Sequence, residues 1–177
     1  MMGERVALNF IQRLSGISTY TKKFVDKIKK TKASILDTRK TTPTLRYLEK
    51  YAVRIGGGTN HRMGLYDKVL IKENHIKIAG GIKKAISMIE GEIEAQNITE
   101  VKEAIESGAK HLLLDNMSIK DVKKSVALAK VKNILMEYSG NVTLDNIEEI
   151  AKTGVDYISV GALTHSYKSI DISLLLK

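Results

Sequence analysis

Apolar residues recur along the chain with two different periods. From Val6 through Phe10, Ile11 and Leu14, then Ile17, Phe24, Val25 and Ile28, they keep a helical spacing, which predicts a long amino-terminal helix or a pair broken at Gly16. Further on, short runs replace the stripe: Ile35-Leu36, Val69-Leu70-Ile71, Ile93 within GEIEAQ, Leu112-Leu113-Leu114, Ile134-Leu135-Met136 and Tyr157-Ile158-Ser159-Val160. These make six predicted strands.

Helical segments with clear punctuation separate the strands. Asn97 with Glu100, and Ser118 with Asp121, have the spacing of a cap and its third residue, where a short side chain satisfies free N–H groups of the first turn. Gly108 and Gly154 stand where a helix ends in left-handed backbone. Thr42 is expected to cap a short helix begun by Pro43, with Leu45 and Leu48 inward. SGAKHLLLDN and TGVDYISVGA share one grammar of helix-ending glycine, apolar strand and polar loop. Repeated βα units argue for parallel strands joined by crossover helices, and no linker divides the chain. Residues 1–177 are therefore expected to form one α/β domain, a barrel-like array of about six parallel strands.

In such folds the loops after the strands carry the chemistry. Collecting them gives Asp37, Arg39 and Lys40; Lys72, Asn74 and His75; Glu94; Asp115 and Asn116; Glu137, Ser139 and Gly140; and Gly161. Brought to one edge, they would surround a single mouth with bases, carboxylates and glycine turns.

Composition narrows the partners. A net charge of +9 asks for anions, but aromatic residues are only 5% and the lysines from Lys22 to Lys32 crowd one amphipathic segment, as a solvated face does. A phosphorylated small molecule explains bases at strand ends better than nucleic acid does. With no cysteine, disulfides and thiolate metal sites are excluded, and no apolar run approaches the ~20 residues that span a bilayer. MMGERVALNF lacks a signal-peptide core, so the expected location is cytoplasmic.

The runs ERVALNFIQRLSGIST, ILDTRKTTP, EKYAVRIGGGTNHRMGLYDKVLIKENHI, HLLLDNMS, EYSGNVTLDNI and GVDYISVGALTHS carry a specific resemblance. From Gly3 to near the end, the chain resembles quinolinate phosphoribosyltransferase, also called nicotinate-nucleotide pyrophosphorylase (carboxylating). That implies a barrel with fewer strands than the common eight. It also implies a transferase that joins quinolinate to phosphoribosyl pyrophosphate with magnesium, releasing pyrophosphate and carbon dioxide and giving nicotinate mononucleotide in NAD biosynthesis.

Carried over by position, Arg39, Lys40, His61, Arg62 and Lys72 match a basic pocket for the two carboxylates of quinolinate and the nearby phosphates. A forked guanidinium pairs bidentately with a carboxylate, and lysine acts as a compact charge. Glu94 and Asp115 match the acids facing the ribose hydroxyls and the metal-bound pyrophosphate, directly or through water. Ser139, Gly140 and Gly161 match loops that hold the 5′-phosphate by backbone N–H groups. Lys40, Lys72, Glu94 and Asp115 are the expected catalytic set.

Glu92, Glu94 and Gln96 alternate on one strand face, so one of them is expected to reach the site. For Asn74 and His75, loop support and substrate contact stand level; Tyr20, Tyr47 and Tyr51 read as helix packing. The chain has SGN at Ser139 to Asn141 where a second glycine is expected. The resemblance also implies an amino-terminal domain before Gly3 that covers a partner subunit's barrel mouth and lends it an arginine, in a homodimer or higher oligomer. Without it, a fragment that binds phosphoribosyl compounds or another subunit without turnover is the alternative, alongside a relative acting on another ring.

Overall fold

Parallel strands alternate with helices from end to end of the computed structural model, which describes residues 3–175. In order they are α1 (Glu4–Ile28), β1 (Ser34–Leu36), α2 (Arg46–Ile55), β2 (Leu70–Ile71), α3 (Glu73–Ala79), α4 (Ile82–Met88) and β3 (Glu92–Ala95). There follow α5 (Ile98–Glu106), β4 (His111–Asp115), α6 (Ile119–Lys130), β5 (Leu135–Ser139), α7 (Ile147–Ala151), β6 (Tyr157–Ser159) and α8 (Ala162–His165). The six strands form one sheet in the order β1-β6-β5-β4-β3-β2, every pairing parallel, as the βα grammar predicts.

β1 and β2 lie at the two margins of this ladder, and the segment after α2 occupies the seam between them. Thr59 forms a parallel bridge with Leu36; its N–H donates to the Ile35 carbonyl at 2.8 Å, and Asp37 N–H donates back to Thr59 at 3.2 Å. Across the seam, Arg62 Nη1 donates to the Lys68 carbonyl at 3.2 Å.

Pleating sorts the strand side chains into two sets. Ile93, Leu112, Leu114, Met136 and Ile158 join the apolar core under the helices, with Ile17 and Phe24 of α1 and Val122 of α6. At the alternate positions stand Glu92, Glu94, His111, Leu113, Asp115, Glu137, Ser139 and Ser159, held in neighbouring register. The core therefore lies outside the strand layer, while the inner side is polar.

Capping follows the sequence at α5 and α6: Asn97 accepts from the N–H groups of Thr99 and Glu100, and Ser118 accepts from Asp121 N–H. Gly108 and Gly154 adopt φ of 88° and 92° at the expected helix ends. One alternative is decided and two expectations change. The first helix runs unbroken through Gly16, which is buried because Lys168 and Ser169 cross so closely that a Cβ would strike their backbone. Val6, Phe10 and Ile11 are exposed on that helix. α2 begins at Arg46 without a side-chain cap, and Leu48 faces outward; burial goes instead to Glu49, Lys50, Ala52 and Val53. Tyr47 and Tyr51 are likewise exposed, leaving Tyr20, edge-on to Phe24 at 5.2 Å, as the packing tyrosine. Among the described residues, no helix is long and apolar enough to cross a membrane.

Candidate active site

The loop Asp37–Thr42 leaves β1 with its backbone tied down. Arg46 donates to Thr41 Oγ1 at 2.9 Å and to the Arg39 carbonyl at 3.2 Å, and Thr164 Oγ1 donates to the Lys40 carbonyl at 2.8 Å. Glu49, buried and paired with Arg13, accepts from Thr42 N–H at 3.1 Å, and Arg13 also donates to Thr42 Oγ1. With the main chain anchored from α1, α2 and α8, the Arg39 and Lys40 side chains stay exposed and available.

A second clamp fixes the segment after the glycines. Asp37, fully buried, pairs with Lys50 of α2 and accepts from Asn60 Nδ2 at 2.5 Å and His61 N–H at 2.9 Å. Lys50 also donates to the His61 carbonyl at 2.9 Å. His61 and Arg62 are thereby held against the end of β1. Burial raises the Asp37 pKa against the lowering pull of Lys50 and Asn60.

One cavity of about 800 Å³ opens at the carboxyl ends of the strands. Its wall includes Arg39, Lys40, His61, Arg62, Lys72, Glu94, Asp115, Ser139, Gly140 and Gly161, so the structure brings these residues, matched by position to the family's pocket, to one mouth. Among the described residues, Arg39, Lys40 and Arg62 have no carboxylate within ion-pairing distance, whereas Lys72 Nζ lies 2.6 Å from Glu94 Oε2. Burial, then the charge of Arg39, lowers the Arg62 pKa. Two guanidinium groups held within each other's repulsion, in a concave wall, are arranged for a shared anion.

The glycines have specific work. Gly140 adopts φ of 117°, and a Cβ there would meet Asn116 Oδ1 and, at 2.9 Å, Asn116 N. Asn141 follows at φ of 45°, so asparagine, which tolerates left-handed backbone, does what the expected second glycine would do. A Cβ on Gly161 would press on Lys40 Cδ at 3.2 Å and His165 Nε2 at 3.1 Å. Gly161 thus leaves room for the lysine to cross.

Glu94 is the acid of its strand that reaches the cavity; Glu92 lies deeper, 1% exposed. His75 supports its loop, its Nδ1 accepting from Lys72 N–H at 2.9 Å, and neither it nor Asn74 lines the cavity. Ser159 and His165, outside the residues matched to the pocket, also stand in the wall. Ser159 lies within an apolar run, but its position two residues before Gly161 marks it as the strand's last inward side chain.

His61 contributes differently from its neighbours. Its Nε2 lies 3.2 Å from Glu92 Oε2 and 3.5 Å from Glu137 Oε2, below the cavity floor, and Nδ1 accepts from Arg62 N–H at 2.7 Å. Burial opposes its positive charge, while the nearby Glu137 and Glu92 carboxylates favour it and raise its pKa.

Comparison with known proteins gives the family. The family model "Quinolinate phosphoribosyl transferase, C-terminal domain" matches residues 17–175. The "Probable nicotinate-nucleotide pyrophosphorylase [carboxylating]" of Bacillus subtilis is 47% identical, over 98% of this chain and 63% of its own length. A Nicotiana tabacum "Quinolinate phosphoribosyltransferase [decarboxylating] 2a, mitochondrial" is 44% identical, over 98% of this chain and 56% of its own. Among solved structures, the nicotinate-nucleotide pyrophosphorylase from Francisella tularensis superposes with a TM-score of 0.92 at 49% identity, covering 96% of this chain and 63% of that one. The chain therefore spans 56% to 63% of the length of these relatives.

Proposed function

The chain belongs to the quinolinate phosphoribosyltransferase family, and from that premise we propose that residues 1–177 form a catalytic unit transferring phosphoribose to quinolinate with decarboxylation, in NAD biosynthesis. The observation that carries this reading is the convergence of Arg39, Lys40 and Arg62, none with a carboxylate partner among the described residues, on one wall of the cavity. A pyridine dicarboxylate meets that demand: two guanidinium groups pair with its carboxylates, and Lys40 faces it as a point charge.

In the same cavity Glu94 and Asp115 offer hard oxygens to ribose hydroxyls, and the loops at Ser139-Gly140 and Gly161 present backbone that a phosphate can approach closely. Lys72, held by Glu94, is placed to follow charge that develops as the glycosidic carbon loses pyrophosphate. Magnesium suits the same Glu94 and Asp115 oxygens, directly or through water, and when bound would neutralise the departing pyrophosphate. The ring nitrogen then attacks the ribose carbon. No side chain needs to bond covalently, so positioning and electrostatics account for the rate. Exposed Val6, Phe10 and Ile11 on α1 support association of the chain as a homodimer or higher oligomer. We place that oligomer in the cytoplasm.

The test is direct. Purified chain is mixed with quinolinate, phosphoribosyl pyrophosphate and magnesium, and nicotinate mononucleotide is followed with and without a separately supplied amino-terminal domain of the Bacillus subtilis relative. Product, raised by the added domain, is expected; no product under either condition overturns the reading. The same unpaired bases support one second reading, a module that binds phosphoribosyl compounds without turnover. Ligand binding with no pyrophosphate release would select it.

A further inference from the structure

Below the cavity floor the strands enclose a group of charges that the anion pocket leaves unused. Glu92 is 1% exposed and Glu137 0%. His61 Nε2 approaches them at 3.2 and 3.5 Å, and His111 Nε2 at 3.3 and 3.8 Å. Lys68 Nζ completes the group 3.0 Å from Glu92. By angle as well as distance, none of the two Glu92 oxygens, Glu137 Oε2 and His111 Nε2 has a satisfied hydrogen bond. Buried oxygens left so are uncommon and call for a reason.

Ligand-type atoms of His61, Glu92 and Glu137 come within 4.8 Å of one another, close enough to suggest a metal centre. The far side of each ring argues otherwise. His61 Nδ1 accepts from the Arg62 amide at 2.7 Å, and His111 Nδ1 faces Lys68 Nζ, which can only donate, at 3.3 Å. An imidazole accepting at Nδ1 carries its proton on Nε2, so both rings carry that proton on the side nearer the carboxylates. The cluster holds protons.

Its two acids are not alike. Glu92 has Lys68 Nζ at 3.0 Å and the two imidazoles at 3.2 and 3.3 Å, whereas the same rings stand at 3.5 and 3.8 Å from Glu137. At Glu137 burial, reinforced by the charge of Glu92, pushes the carboxyl up despite His61 and Ser159. Acids driven apart in this way divide into a charge and a proton store. Glu137 Oε1 meets Ser159 Oγ at 2.5 Å, and both residues line the same cavity as Arg39 and Arg62.

We propose that Glu137, acting through the Ser159 hydroxyl, supplies the proton taken up by the ring carbon that has lost carbon dioxide, an assignment that rests on the phosphoribosyl-transfer reading above. When the bond to that carboxylate breaks, its electron pair stays on the ring carbon beside the nitrogen. The pair forms a C–H bond with the Ser159 hydroxyl proton. Ser159 oxygen takes the Glu137 proton in turn, and the O–H electron pair remains on the Glu137 carboxylate. Nothing is oxidised or reduced, and solvent restores the proton between turnovers. The new carboxylate is received by Ser159 and by the Nε2–H groups of His61 and His111. A neutral acid serves here because Arg39, Lys40 and Arg62 each keep the charge that holds the anion.

The experiment runs the assay in equal parts of light and heavy water and reads protium against deuterium at that ring carbon of the mononucleotide, beside rates and quinolinate affinity. Glu137→Gln and Ser159→Ala are each expected to keep affinity within a few-fold, to slow product formation by about a hundredfold, and to shift the isotope ratio toward direct protonation by solvent. A slower rate with an unchanged ratio assigns Glu137 and Ser159 a structural role and overturns the proposal. So does an unchanged ratio in both variants when Lys40→Met shifts it, which makes the lysine the donor. Absence of product from the parent chain overturns the functional reading itself, a failure distinguishable from these.

Discussion

Gly140 turns the chain out of β5 at φ of 117° with Asn116 packed where a side chain would begin. Gly140→Ala combines left-handed strain with that clash, at a cost of about 1–3 kcal/mol from the backbone alone. The expected outcome is a lower Tm together with weaker binding of phosphoribosyl pyrophosphate by calorimetry. An unchanged affinity would remove this turn from the phosphate site. Glu92 has its own signature. Its pKa of about 2 lies below the usual 4.5, so it contributes stability above about pH 4.5 that is lost as pH falls toward 2. Glu92→Gln should therefore be the less stable protein at pH 7, and the gap in Tm should narrow as pH is lowered from 5 to 3. A gap that stays constant with pH would show that Glu92 is not charged in the fold.

The elements that carry the site were legible where their pattern is local. Apolar runs gave all six strands, and Asn97, Ser118, Gly108 and Gly154 marked helix ends, because caps and left-handed turns are decided within a few residues. α2 was misjudged because its burial is long-range: Glu49 and Lys50 point inward to Arg13 and Asp37, partners far away in sequence. Charged residues on an inner helix face defeat a search for apolar periodicity. The same reason hid the depth of Glu92 and Glu137. The Asp37–Lys50 pair supports a prediction at this scale. Lys50→Met leaves a buried carboxylate uncompensated and should cost about 3–5 kcal/mol in denaturant unfolding. Because Asp37 and Lys50 both hold His61, quinolinate affinity should fall with stability. Intact affinity in a destabilised variant would separate the clamp from the site.

At the scale of the whole molecule, polar residues fill the inner side of the strand layer while the apolar core lies under the helices. The family resemblance was readable from end to end because its motifs are the strand-end loops themselves, TRKT, GGG with HR, IKEN and LLDN, each placed by a strand that the pattern also predicts. What α1 exposes was not readable, since Val6, Phe10 and Ile11 continue the same helical stripe as the buried Ile17 and Phe24. That exposed stripe predicts concentration-dependent association: light scattering should show mass rising with concentration, and Phe10→Lys should lower it. A monomer at all concentrations would assign those side chains no partner.

The seam between β1 and β2 has no continuous strand ladder: the Thr59 bridge and the Asp37 clamp fasten the segment to β1, and one guanidinium on the Lys68 carbonyl fastens it toward β2. His61 and Arg62 sit on that seam, so the margin without a ladder is also the one that meets the anion. A dianion seated between Arg39 and Arg62 would act as a rivet, fastening the two margins from the inside. Occupancy and closure then become one event: amide exchange at Asp37 and Thr59 should slow when quinolinate is added, and the empty protein should breathe there first.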